Sequence, residues 1–195
     1  MNLTCQSANA ALVALHLTSA CAPGQYSSTV PAGQLLQWTY GSQTDPTSVP
    51  YGAAVALVPS LGHAPVQVPS VPTTDTYAQA QTLLEGSGFT TSQTSTTSTT
   101  VAAGDVIGTT PAAGATAPYG SAIAVTVSSG PPTTQVPDLF QDTVTQATAA
   151  LQQVGLTVAG AYGPSASSPN AIVIYTEPAQ GVTVPVGSSV SLYTN

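Results

Sequence analysis

Residues 118–127 read P-Y-G-S-A-I-A-V-T-V, a tight turn followed by a stretch in which apolar residues alternate with small or polar ones. The same pattern occurs as P-Y-G-A-A-V-A-L-V at 50–58 and as P-V-G-S-S-V-S-L-Y at 185–193. The prolines that open these stretches are 68 and 67 residues apart. This period indicates a tandem repeat of one small unit, and the alternation predicts a strand with one buried face.

Each repeat also contains a helix, which is clearest in the third copy. Thr143 is the expected N-cap, with Gln146 completing a capping box. Ala147 and Leu151 lie on one apolar face, and Gly155 ends the helix. Because a short helix can bury this face only on an adjacent sheet, we expect an α+β module with one helix packed on a three-stranded sheet.

The elements around the helix complete the unit. The sequences V-P-S-V at 68–71 and V-P-D-L at 136–139 are interpreted as its first strand. A period-2 segment at 172–175 and a P-A-Q-G turn at 178–181 follow the third helix. The predicted order is therefore strand, helix and three further strands.

Three modules follow from this spacing, at residues 1–62, 66–130 and 135–195. The linkers at 62–67 and 130–135 are short and contain proline. Because such linkers are semi-rigid, we expect the modules to form a linear rod.

The charge of the chain excludes several functions. There is no Lys or Arg, and the seven carboxylates give a net charge of −7 with the two histidines neutral. Phosphate neutralisation is therefore impossible, which argues against nucleic-acid binding and disfavours anionic membrane surfaces. No apolar run approaches the ~18 residues of a spanning helix, so no membrane insertion is expected. Without a catalytic motif or metal-ligand spacing, we expect no enzyme activity, no metal and no cofactor.

The motifs of all three modules resemble the PASTA repeat, nearly throughout the last two modules and in the later parts of the first, which lacks the N-terminal strand. The V-P-x-(L/V) segments, A-G-D-V-I at 103–107, P-A-A-G at 111–114 and the P-x-G-S turns carry the resemblance. It implies a helix on a small three-stranded sheet. It also implies a module found outside the membrane on bacterial Ser/Thr kinases and penicillin-binding proteins, where it binds muropeptides and uncrosslinked peptidoglycan.

We therefore expect a non-catalytic, extracellular or virion-exposed binding or adhesion module directed at cell-wall peptidoglycan. One alternative is a structural subunit of an assembly, such as a phage decoration or tail-associated protein or a surface filament, with other protein subunits as partners. A second alternative is an ectodomain fragment of a PASTA Ser/Thr kinase.

The first module departs from the other two. Aligning Thr4 with Thr143 places Met1 opposite Phe140 or Gln141, so the V-P-x-L segment is missing. Y-G-S-Q at 40–43 replaces the P-x-x-G turn. A missing strand is expected to leave an unpaired sheet edge and an exposed core. A neighbouring chain or upstream residues could supply this strand by β-addition.

Both cysteines, Cys5 and Cys21, lie in the first module. A helix from Cys5 rises ~15 Å, and a strand ending at Cys21 returns ~13 Å, so the two sulfurs should meet near the start of the helix. Such a disulfide would stabilise the module by roughly 3 kcal/mol and compensate for the absent strand. The alternative is a pair of buried free thiols.

Aromatic side chains are the candidate contacts for a ligand or partner, because exposed rings anchor sugars and proteins. Trp38 and Tyr40 should face the same side of one strand. The candidates are Trp38, Tyr40, Tyr51, Tyr119, Tyr175 and Tyr193.

Overall fold

The structure, a computed structural model, describes residues 3–195. Its backbone contacts divide the chain into two compact units. The first unit comprises the chain up to Val71, Gln79–Ser92 and Thr109–Ala124, and the second comprises Pro72–Ala78, Gln93–Gly108 and Val125–Asn195. The predicted second module contributes to both units, while the module boundaries and the rod stay predictions.

The first module has one helix and one mixed sheet. Its elements are α1 (Cys5–Ala14), β1 (Thr18–Cys21), β2 (Leu35–Tyr40), β3 (Gln43–Thr44) and β4 (Ala54–Pro59). The sheet has the order β1-β4-β2-β3, with β1 parallel to β4 and the other pairs antiparallel. The hairpin strand β3 makes this sheet one strand wider than predicted.

The second module adds a two-stranded sheet to the predicted three-stranded one. Its elements are β5 (Val66–Gln67), α2 (Tyr77–Gly86), β6 (Thr90–Thr96), β7 (Val106–Thr110), β8 (Thr116–Ala117) and β9 (Ala122–Ser128). The sheets have the orders β6-β9-β7 and β5-β8.

The third module repeats this plan. Its elements are β10 (Thr133–Gln135), α3 (Val144–Gln153), β11 (Thr157–Tyr162), β12 (Val173–Glu177), β13 (Thr183–Pro185) and β14 (Ser189–Thr194). Strand β14 lies between β11 and β12, and β10 pairs with β13. The core is a cluster of buried apolar side chains from α3, the sheet and the segment before the helix: Val136, Leu139, Ala147, Leu151, Leu156, Val173, Val184, Val190 and Leu192. The α+β fold class is confirmed.

The helix signals of the third module are also confirmed. Thr143 Oγ1 accepts a hydrogen bond from the Gln146 amide, and the Thr143 amide donates to Gln146 Oε1. After the helix, Gly155 has φ +74°, and the Leu156 amide donates to the Leu151 carbonyl. Each of the three helices within residues 3–195 has ten residues, and none is long and apolar enough to cross a bilayer.

The predicted position of the first strand is wrong. The pairing residues are β5 and β10, which come directly before the V-P segments, and they pair with β8 and β13 rather than with the main sheet. In the third module the Val136 amide donates to the Val182 carbonyl, and the ladder then stops because Pro137 has no N–H to donate. Val136 and Leu139 instead point into the core, each 2% exposed.

This correction changes what the first module lacks. Its main sheet is complete, so the expected unpaired edge of that sheet is wrong. The missing segment would instead supply a strand of the two-stranded sheet and two core side chains.

Candidate functional site

The third module carries three tyrosines side by side on its sheet. The strand register pairs Tyr162 with Tyr193 and Tyr193 with Tyr175. On β14 the neighbouring Leu192 is buried in the core, and successive side chains of a strand point to opposite faces. These residues, which we call the tyrosine row (Tyr162, Tyr193 and Tyr175), therefore lie on the face of the sheet away from α3.

The rings of the tyrosine row are in contact but remain accessible. The centroids of Tyr175 and Tyr193 are 4.2 Å apart with the rings 9° from parallel, and those of Tyr162 and Tyr193 are 5.4 Å apart at 31°. Tyr162 is 49% exposed and Tyr175 is 54% exposed. The row therefore presents rigid aromatic surface to solvent, the kind that binds apolar faces of a ligand.

A carboxylate is fixed beside the row. Tyr193 Oη donates a hydrogen bond to Glu177 Oε2 over 3.2 Å. Desolvation among the neighbouring groups, followed by this hydrogen bond and the Glu177 charge, raises the pKa of Tyr193 above its ordinary value. The hydroxyl therefore stays a donor, and exposed Glu177 has acceptor capacity left for a ligand.

A cavity of about 260 Å³ adjoins the tyrosine row. Tyr175 lines this cavity together with Asp138, Phe140 and Ile174. Phe140 is 62% exposed and Ile174 is 43% exposed. Since Tyr175 belongs to both features, the row and the cavity form one surface that combines aromatic and aliphatic groups with two carboxylates.

The disulfide between Cys5 and Cys21 is confirmed, and the free-thiol alternative is wrong. Cys5 is the first residue of α1 and Cys21 the last residue of β1, with a Cα–Cα distance of 6.2 Å. The bridge therefore ties the start of the helix to the edge strand of the sheet, as the predicted geometry requires. Its compensating role stays a prediction.

The six predicted aromatic residues do not form one site. Tyr175 and Tyr193 come together in the row, whereas Trp38 and Tyr40 are half-buried on β2. Trp38 lies opposite Leu57 in the β2–β4 ladder.

The two turn tyrosines each lie near a histidine. Tyr119 stacks on His63 with centroids 3.9 Å apart. Tyr51 lies 5.5 Å from His16 and is 82% exposed.

Sequence reasoning missed Tyr162, Phe140, Ile174 and Glu177 as parts of the surface. Tyr162 could have been found by placing β11 beside β14 in parallel register. Ile174 could not, because a register shift between Val173 and Tyr175 breaks the alternation that assigns faces. Within residues 3–195, no group of three or more His, Cys, Asp or Glu is placed to hold a metal ion.

Comparison with known families gives two matches in this chain. The model described as PASTA domain matches residues 66–129 and 134–195. These ranges contain the second and third helices and their sheets, apart from Thr133 at the start of β10.

Curated relatives include Ser/Thr protein kinases. The chain is 35% identical over 153 residues to PknB of Mycobacterium tuberculosis, covering 76% of this chain and 24% of the kinase. It is 32% identical over 166 residues to PknB of Mycobacterium leprae, covering 85% of this chain and 26% of the kinase. The chain thus spans about a quarter of the length of these relatives.

Two solved structures share the fold over all of this chain. The entire extracellular region of the Ser/Thr kinase PrkC from Staphylococcus aureus matches with a TM-score of 0.63 at 18% identity, covering 68% of that chain. The three-PASTA-domain structure of a Ser/Thr kinase from Staphylococcus aureus matches with a TM-score of 0.58 at 18% identity, covering 96% of that chain.

Proposed function

Because the chain belongs to the PASTA domain family, we propose that it is a non-catalytic, extracellular binding segment that recognises peptidoglycan fragments through the tyrosine row and the cavity beside it. The observation that carries this proposal is the row itself. Three tyrosines on adjacent strands expose aromatic surface next to a cavity lined by Asp138, Phe140, Ile174 and Tyr175.

The chemistry of this surface fits a glycan that carries a peptide. Tyrosine rings offer flat apolar area to the C–H face of a sugar, and their hydroxyls exchange hydrogen bonds with sugar hydroxyls. Glu177 and Asp138 can accept hydrogen bonds from the ammonium group of a stem peptide. With no Lys or Arg and a net charge of −7, the chain repels polyanionic polymers and favours ligands with a free amine.

A second reading, an ectodomain segment of a Ser/Thr kinase, is favoured by the PknB relatives. In that reading the segment binds its ligand outside the membrane and takes no part in phosphoryl transfer. The two readings are compatible, since a sensor segment also has to bind. The assembly-subunit alternative, including the phage structural protein, stays a prediction.

Retention on purified peptidoglycan at low ionic strength tests the proposal. We expect Tyr175→Ala and Tyr162→Ala each to reduce retention about tenfold, the size expected when one aromatic contact of ~1.4 kcal/mol is lost. Tyr26→Ala is the matched control, because Tyr26 is also exposed but lies in the first module and is not a candidate contact. Absence of wild-type retention, or an equal loss for Tyr26→Ala, would contradict the proposal.

A further inference from the structure

The linker between the first and second modules has the sequence G-H-A-P at 62–65. Its first residue is fixed to the first module by two hydrogen bonds. The Ser27 amide donates to the Gly62 carbonyl over 2.7 Å, and the Gly62 amide donates to Ser60 Oγ over 2.9 Å. His63, the next residue, therefore leaves the first module from an anchored point.

The imidazole of His63 lies on a tyrosine of the second module. Its ring and that of Tyr119 are stacked, with centroids 3.9 Å apart and planes 10° from parallel. Tyr119 is also held from its own module. The Gly120 amide donates to the Gly88 carbonyl after α2, and a side chain on Gly88 would collide with the Tyr119 ring. The stack therefore connects the linker to the end of α2, and all four residues belong to the first compact unit.

The second linker starts from the same kind of anchor. The Ser98 amide donates to the Gly130 carbonyl, and the Gly130 amide donates to Ser128 Oγ. Pro131, which follows this glycine, therefore occupies the position of His63.

Different contacts hold the two linkers to the turn that follows. Val186 comes after the proline of the third module's P-x-G turn, as Tyr119 does in the second module. The Val186 amide donates to the Pro132 carbonyl over 2.8 Å. Within residues 3–195, the Tyr119 amide makes no hydrogen bond to another backbone group. At the first linker, the stack with His63 therefore stands where the second linker has a hydrogen bond.

The exposure of the turn tyrosines reflects this stack. Tyr119 is 48% exposed, whereas Tyr51, at the same turn position of the first module, is 82% exposed. The ring contact of Tyr51 within the described part of the chain is His16, 5.5 Å away and 41° from parallel. Near-parallel rings in close contact attract each other through dispersion and their quadrupoles, so the stack favours a docked His63.

We propose that His63 and Tyr119 form an aromatic latch that holds the first linker on the turn at 118–120. Because His63 directly follows the anchored Gly62, the latch makes the first module and this turn move as one body. Without it, residues 63–65 keep only the stiffness that Pro65 supplies, which is that of a semi-rigid spacer. The latch is a conformational device separate from the ligand surface of the third module.

Proton NMR of the full chain detects the latch directly. The chain has two histidines, and a tyrosine ring stacked on an imidazole shifts its C–H signals upfield. We expect the His63 signals, assigned by their loss in His63→Phe, to lie upfield of those of a histidine in a short peptide. Tyr119→Leu should return them to the peptide position. Tyr51→Leu, the matched control at the equivalent turn, should leave them unchanged.

Backbone amide relaxation, also measured by NMR, tests the mechanical consequence. In the wild type we expect the Ala64 amide to be as rigid as the amides of β4 and α2. His63→Ala, at an exposed position that the fold tolerates, should lower the heteronuclear NOE of Ala64 and shorten the rotational correlation time of the first module, because the freed linker moves on the nanosecond timescale. His63→Phe keeps a ring and should behave as the wild type does, as should His16→Ala.

Three results would overturn the proposal. The first is a wild-type His63 signal at the position of a free histidine. The second is the same Ala64 mobility in the wild type, in His63→Ala and in Tyr119→Leu. The third is equal loosening of the linker by His63→Phe and His63→Ala, since the stacked ring would then not be what holds it.

Discussion

The first and third modules share the same arrangement of one helix on a sheet, but different features complete their cores. In the third, Val136 and Leu139 complete a cluster in which Leu151 is fully buried. In the first, Leu12 takes the place of Leu151 but is half-buried, and a disulfide ties α1 to β1 instead. The segment before the helix therefore contributes to the core of a module, but the helix and the main sheet form without it.

The largest difference is expected when the paired leucines are truncated. Leu151→Ala should destabilise the third module by about 2–5 kcal/mol, because it leaves a cavity in a closed core. Leu12→Ala should cost the first module clearly less, since that side chain already borders open space. Native-state hydrogen exchange, resolved by module, measures both losses of stability. An equal loss of unfolding free energy for the two variants would show that the two leucines are equally well packed.

Removal of the disulfide should weaken the first module alone. The double variant Cys5→Ser/Cys21→Ser should lower its unfolding free energy by about 3 kcal/mol, because the unfolded chain regains the freedom of a short loop. Trp38 fluorescence follows this module during denaturant unfolding, and hydrogen exchange at α3 serves as the control. If the unfolding free energy followed by Trp38 fluorescence is unchanged, the disulfide does not compensate for the missing segment.

A buried serine should matter equally in the first and second modules, where their structures agree. Ser60 Oγ donates to the Val30 carbonyl and accepts from the Gly62 amide, and Ser128 Oγ makes the same two bonds to Val101 and Gly130. Replacing either serine by alanine leaves buried groups unpaired, at a cost of about 1–3 kcal/mol. Hydrogen exchange at the Gly62 and Gly130 amides measures this cost, and a loss at only one of the two sites would contradict the shared design.

The smallest expected effect is a pH dependence confined to the third module. Because the fold raises the pKa of Tyr193, the protonated form is favoured in the folded state. This stability is present below the unfolded pKa of about 10 and is lost as the pH rises through the higher folded value.

Ultraviolet titration of tyrosinate tests this effect. Tyr193→Phe should remove a component that titrates above the ordinary tyrosine pKa, and Glu177→Gln should move that component toward the ordinary value. A titration curve of Glu177→Gln identical to that of the wild type would contradict the role of the carboxylate.

Local signals made much of the fold predictable. The helix bounds followed from Thr143 and Gly155, whose effects act within one helical turn, and the disulfide followed from the rise per residue of a helix and a strand. The position of the first strand was mispredicted because Pro137 favours extended backbone locally. In the structure, Val136 and Leu139 beside it pack into the core instead of pairing in the main sheet.

The candidate site was only partly predictable. Tyr175 and Tyr193 were identified as aromatic residues near the end of the third module, where exposed rings are candidate contacts. Tyr162 joins them through a parallel pairing of strands that are distant in sequence, which no local pattern encodes. The half-buried environment of Trp38 could not be predicted from local sequence either. It depends on the first module lacking the V-P-x-L segment that packs into the core of the third module.

Grafting the missing segment tests whether the first module is a complete module that lacks only V-P-x-L. Residues 131–140 are fused to the amino end of Asn2 and replace Met1, so that Asn2 follows the grafted Phe as Gln141 follows Phe140. We predict that Trp38 emission moves to shorter wavelength and that the first module gains at least about 1.5 kcal/mol, the value of one buried Val or Leu side chain. A graft with Asp in place of the Val and the Leu should do neither. Unchanged emission and stability in the V-P-D-L graft would contradict this view of the first module.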